Sequence, residues 1–213
     1  MSFISTTSLI DVSDSVLVVI DVQDAFLDKL ALAKTTIHEA AATSAPPPDK
    51  ETLVHRIVWL MELAQTLQVP MIVTAEDIDV LGSVAPALED KLSSDTVVHN
   101  KMVFGMADNL SIMQALKATN RKTAILVGLE TDVCIAHSAL GLQQTGYRVA
   151  VVTDAVASPG IHHQYGLDRM YRAGIILTNV KGLYFEWVRT VAKDNQLKKD
   201  LVDRIGSPKG IIL

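Results

Sequence analysis

One thiol, one carboxylate and one amine in this chain form a set with covalent chemistry. Cys134, the only cysteine, stands at the end of Val127-Gly128-Leu129-Glu130-Thr131-Asp132-Val133-Cys134. The run 123–127 reads as a buried strand and 135–144 as a helix. The sulfur therefore falls in the first turn of a helix, just beyond a strand's C-terminal end. Helix-terminal N–H groups and the helix dipole favour an anion there, which predicts a lowered thiol pKa. Asp21 opens Asp21-Val22-Gln23-Asp24-Ala25-Phe26 after the apolar run 16–20, and Lys101 follows 96–98 in His99-Asn100-Lys101-Met102-Val103-Phe104-Gly105. A nucleophile, a proton acceptor and a cation that holds both ionised are what a covalent hydrolase needs. Each residue alone has a plainer role: a core cysteine, a loop carboxylate capping backbone N–H groups, a solvated lysine.

The elements that would gather the three are legible in the hydrophobic pattern. Short apolar runs at 16–20, 71–73, 96–98, 123–127, 149–152 and 175–177 lack alternation, as expected of parallel strands covered on both faces. Helical spacing occupies 51–67, 109–118, 135–144, 164–172 and 182–193, with Leu53, Ile57, Leu60, Leu63, Ala64 and Leu67 forming one apolar stripe. Strand–helix alternation predicts an α/β fold in three layers: a doubly wound parallel sheet of about six strands with helices on both faces. In such sheets ligands bind beyond the strands' carboxyl ends, where Asp21, Lys101 and Cys134 all lie. No composition shift divides the 213 residues, so one domain spanning 1–213 is expected. The segment 28–50 breaks the pattern and ends in Pro46-Pro47-Pro48; it is a candidate lid or a plain surface excursion.

The net charge of −5, without a basic stripe, argues against nucleic acid as a partner. The apolar runs are too short to span a bilayer, and one cysteine suits a reducing compartment, so a cytoplasmic protein is expected. His162-His163 reads as a surface loop pair, and His137 as a weak candidate for a Cys–His dyad. Thr131 and Asp132 are candidate helix N-caps.

Asp21-x-Gln23-x-x-Phe26, Lys101 followed by Phe104-Gly105, and Gly128-x-x-Thr131-Asp132-x-Cys134 together resemble the isochorismatase-like cysteine hydrolase superfamily, over about 16–180. The resemblance implies an Asp21–Lys101–Cys134 triad. It also implies a non-proline cis peptide at Leu129–Glu130 and an oxyanion hole from the Glu130 and Cys134 N–H groups. Phe26, Glu76, Leu129 and Thr131 are candidate substrate contacts. Metal-dependent nicotinamidases carry Asp-x-His after the second strand. Here Thr74-Ala75-Glu76-Asp77-Ile78-Asp79 has no histidine, so no metal and no cofactor are expected. The expected function is metal-independent hydrolysis of a small amide or related C–N bond through a thioester. Vinyl-ether hydrolysis and a non-catalytic binding or assembly role are the alternatives. A homo-oligomer, dimer or tetramer, is the implied assembly.

Overall fold

A computed structural model describes residues 9–33 and 47–213. Six strands are all parallel: β1 (Ser15–Ile20), β2 (Met71–Glu76), β3 (Val98–Lys101), β4 (Thr123–Leu129), β5 (Arg148–Ala157) and β6 (Ile176–Thr178), in the order β3-β2-β1-β4-β5-β6. The order reverses direction between β1 and β4, which makes the carboxyl ends of these two central strands the topological switch point. The longer helices are α1 (Asp24–Ala33), α2 (Lys50–Thr66), α5 (Leu110–Ala118), α6 (Ala136–Gln144), α7 (His162–Arg172), α8 (Val180–Val188) and α9 (Val191–Leu197). Short helices α3 (Ile78–Leu81), α4 (Pro86–Glu89) and α10 (Asp203–Ile205) are also present among the described residues.

Side chains alternate across each strand, and the two cores follow from that. Leu17, Val19, Ile125 and Val127 face one side and pack with α2, α8 and Phe26 and Leu27 of α1. Val16, Val18, Ile20, Ala124 and Leu126 face the other and pack with α5, α6 and α7. The strands need no alternation in sequence because both faces are covered. The buried Trp59 and Trp187 indoles still donate, to the Gly206 carbonyl at 2.9 Å and the Ser15 hydroxyl at 3.0 Å, so burial leaves neither N–H without a partner.

Three elements differ from the pattern reading. Strand β3 runs through polar His99 and Asn100 to Lys101, because an edge strand needs apolar residues less than a central one. The expected helix 182–193 is two, broken where Arg189 takes a positive φ of 68°. Helix α1 runs to Ala33 and so occupies the start of the candidate lid; 34–46, the rest of that segment before Pro47, lies outside the described residues.

Candidate active site

Asp21 directly follows β1 at φ 49°, a left-handed turn that aspartate tolerates better than most residues. Its N–H is tied to the Thr74 carbonyl at 3.1 Å, and its Oδ1 accepts from the Thr74 hydroxyl at 2.8 Å. Glu76 and Lys101 are register partners at the ends of β2 and β3. From the edge strand, Lys101 reaches inward and is fully buried. Its ammonium lies 2.9 Å from Asp21 Oδ2, 3.7 Å from Glu76 Oε2 and 3.6 Å from Cys134 Sγ. It also donates to the carbonyls of Val103 at 2.8 Å and Phe104 at 3.2 Å.

The backbone that carries Cys134 is shaped by glycine and by close packing. Gly128, with φ 122°, lies where a Cβ would come within 2.0 Å of the Ile20 carbonyl oxygen. Only glycine lets β4 approach β1 this closely beside Asp21. The Leu129–Glu130 peptide is cis. The next turn, Thr131–Ile135, is a π-helical turn that leads into α6 and carries the sulfur. Helix α7 presses on this turn through Gly166, where a Cβ would sit 2.8 Å from Asp132 backbone atoms.

The cluster's electrostatics overturn one expectation. Burial, then the negative charge of Asp21, pushes the Cys134 thiol well above its ordinary value; Lys101 opposes this and Glu76 reinforces it. A helix terminus alone favours the opposite shift. Here desolvation and two adjacent carboxylates outweigh its partial dipole charge. The resting group is therefore a neutral thiol, and it donates to Glu76 Oε2 at 3.3 Å. Burial also raises the Asp21 carboxyl above the usual carboxylate range, against the pull of Lys101. Asp21 Oδ2 has its ion pair but no well-directed hydrogen bond, which leaves it a lone pair for an incoming proton. Burial works against the Lys101 charge too. Asp21, Cys134 and Glu76 more than offset it, so the ammonium holds its proton more firmly than usual.

Asp21, Glu76 and Cys134 each offer a ligand atom, all within 4.8 Å of one another. The Lys101 ammonium already lies within ion-pair or hydrogen-bond reach of all three. A metal ion at their centre would face that charge, so this donor set suits an ammonium better than a metal.

The other expected residues divide. Phe26 is buried at the start of α1, with the Lys29 ammonium 4.5 Å from its ring centroid. Lys29 also pairs with Glu130 at 3.5 Å. Leu129 is buried in the core with α2 and α8. Thr131 and Asp132 cap no helix end: the Thr131 hydroxyl meets His163 Nδ1 at 2.9 Å, and Asp132 accepts from the Ser158 hydroxyl at 2.6 Å. His137 is exposed and stacks edge-on to Phe104. His163 departs most from the surface-loop expectation. It is buried in α7, and burial lowers its pKa to about 4, so it is neutral at pH 7. A signal for it was present: His163, Gly166, Leu167 and Met170 form the i, i+3, i+4, i+7 stripe that α7 buries. Gln23, also buried, holds Glu76 by both backbone groups, at 2.8 Å each.

An isochorismatase domain model matches residues 15–181. The secreted isochorismatase effector Isc1 of Phytophthora sojae is 31% identical over 139 residues, which span 63% of this chain and 66% of that protein. The fold is that of YcaC from Escherichia coli, an octameric hydrolase of unknown specificity (TM-score 0.76, 24% identity, 93% of each chain covered). YcaC from Pseudomonas aeruginosa, solved with hexane-2,5-diol and covalent acrylamide, is similar as well (TM-score 0.74, 22% identity, 96% of each chain). Among the described residues, no helix is long and apolar enough to cross a membrane.

Proposed function

This chain belongs to the isochorismatase family of hydrolases, and we propose that it cleaves a small amide or related C–N bond through a covalent thioester on Cys134. The observation that carries this is the buried Lys101 ammonium standing between the Asp21 carboxylate and the Cys134 sulfur. In a water-poor site that arrangement couples proton transfer to nucleophilic attack. YcaC from P. aeruginosa, a protein of the same fold solved with covalent acrylamide, a small amide, supports this reading.

With a neutral resting thiol, attack and deprotonation occur together. The sulfur bonds to the substrate carbon while its proton passes to Asp21 Oδ2, and the carbonyl oxygen becomes an oxyanion. The Glu130 and Cys134 N–H groups stabilise that oxyanion, in a role where one lost donor typically costs about 10²–10³ in rate. The C–N bond then breaks and the departing nitrogen takes the proton from Asp21. Water adds to the thioester and gives a proton to Asp21. The carbon–sulfur bond breaks, the acid leaves, and the sulfur recovers that proton. Lys101 stays protonated throughout and limits the cost of each charge shift. A homo-oligomer is part of the same proposal, as E. coli YcaC is octameric.

The test is turnover of a panel of small primary amides by wild type and Cys134→Ser. The expected result is a loss of about 10³-fold or more in kcat/KM. Undiminished turnover in the variant overturns the nucleophile.

A further inference from the structure

We propose that Glu76 selects the substrate by charge, favouring an amide whose carbonyl lies beside an ammonium, amidinium or ureido N–H and rejecting carboxylates. The proposal deepens the hydrolase reading and rests on it for the word substrate; the charge selection itself requires no turnover.

Glu76 is placed with unusual firmness. Its N–H donates to Gln23 Oε1 and its carbonyl accepts from Gln23 Nε2, while the same amide nitrogen also reaches the Gly82 carbonyl at 2.7 Å. Gln23 is itself fully buried, so the end of β2 is held by a side chain with no freedom of its own. The Glu76 side chain keeps 19% of its surface open, against none for Asp21 or Lys101. Of the three charged side chains around the sulfur, it is the one that a molecule arriving from solvent meets.

The charge count gives that placement a consequence. Two carboxylates and one ammonium surround a neutral thiol, leaving one formal negative charge over. Lys101 donates to the carbonyls of Val103 and Phe104 and to Cys134 Sγ and is ion-paired with Asp21, so no donor is left for a substrate carboxylate. Lys29, at the same edge, is paired with Glu130. A carboxylate brought beside Glu76 therefore meets it unopposed, and in a poorly solvated site that repulsion is strong. An ammonium or ureido N–H does the reverse. It takes the Glu76 oxygen that the thiol occupies at rest, and so frees the S–H to turn toward Asp21.

The test alkylates Cys134 with iodoacetamide, iodoacetate and 2-bromoethylammonium, each rate normalised to that of 2-mercaptoethanol. Wild type is expected to disfavour iodoacetate against iodoacetamide by about tenfold or more and to favour the cationic reagent. Glu76→Gln should bring both ratios close to those of the free thiol. Glu76→Asp, which retains the charge, should keep the order, so loss of charge is separable from loss of fold. Wild-type ratios equal to those of the free thiol, or ratios unchanged in Glu76→Gln, overturn the proposal. Glycinamide, propionamide and succinamate then extend the measurement to kcat/KM, expected in that descending order. Inert amides together with charge-selective alkylation would fail the hydrolase reading while leaving the Glu76 assignment standing.

Discussion

Two buried carboxylates in this protein are held by lysine, and they are held differently. Glu62, in α2, is only 6% exposed and receives Lys91 at 2.7 Å and Arg204 at 3.1 Å, whose side chains are 42% and 58% exposed. One acid there has two cations, each partly in water, and they tie α2 to the segment after α4 and to α10. At Asp21 the ratio is inverted: two carboxylates share one lysine, which is itself out of water, with a thiol completing the ring. The first arrangement spends charge on holding elements together. The second leaves charge poorly compensated and an acceptor oxygen without a hydrogen bond, which is the condition in which protons move.

The sharpest way to break this contrast is to remove one cation from each cluster. Lys101→Met strands Asp21 in the interior and is expected to cost about 3–5 kcal/mol in urea unfolding. Lys91→Met leaves Arg204 and water on Glu62 and should cost about 0.2–1 kcal/mol. Equal losses would show that the two clusters are alike.

The sheet edge that carries Asp21 and Cys134 should also respond to acid in a way that traces to one residue. His163 has a folded pKa of about 4, below its unfolded value of roughly 6.5. Between these values the unfolded chain binds the extra proton, so stability rises with pH through the window and is lost as pH falls from 6.5 toward 4. The loss amounts to about 3 kcal/mol at 1.36 kcal/mol per pH unit. His163→Asn should remove about 3 kcal/mol of the fall in unfolding free energy between pH 6.5 and 4, flattening the slope there. An unchanged slope would assign the acid sensitivity elsewhere.

Thr74→Val removes one hydrogen bond from Asp21 Oδ1. It is expected to cost about 1–3 kcal/mol and to lower amide turnover, because a buried acceptor loses its donor. Stability and activity both at wild-type values would mean that the Thr74 bond does not position Asp21.

How much of this was legible in the chain depends on the range over which each feature is encoded. Asp21, Lys101 and Cys134 stand out because each follows an apolar run, directly for Asp21 and after a short connecting stretch for Lys101 and Cys134, and the parallel sheet sends such positions to one edge. Glu76 and Gln23 could be named but not joined, since their contact crosses 53 residues and depends on the β1–β2 register. His162 and His163 point about 100° apart on the helix, so reading them as one surface pair misses the stripe His163, Gly166, Leu167 and Met170 that α7 turns inward.

The sequence by itself determined the strand and helix periods, the doubly wound class and the three reactive residue types at strand ends, because all of these are local or periodic. Tertiary structure decided the protonation state of the sulfur. The burial and two carboxylates that keep Cys134 a neutral thiol come from β1, β2 and the turn after β4 meeting in space, and charge at a buried atom is set by the sum of neighbours that no single stretch of chain contains.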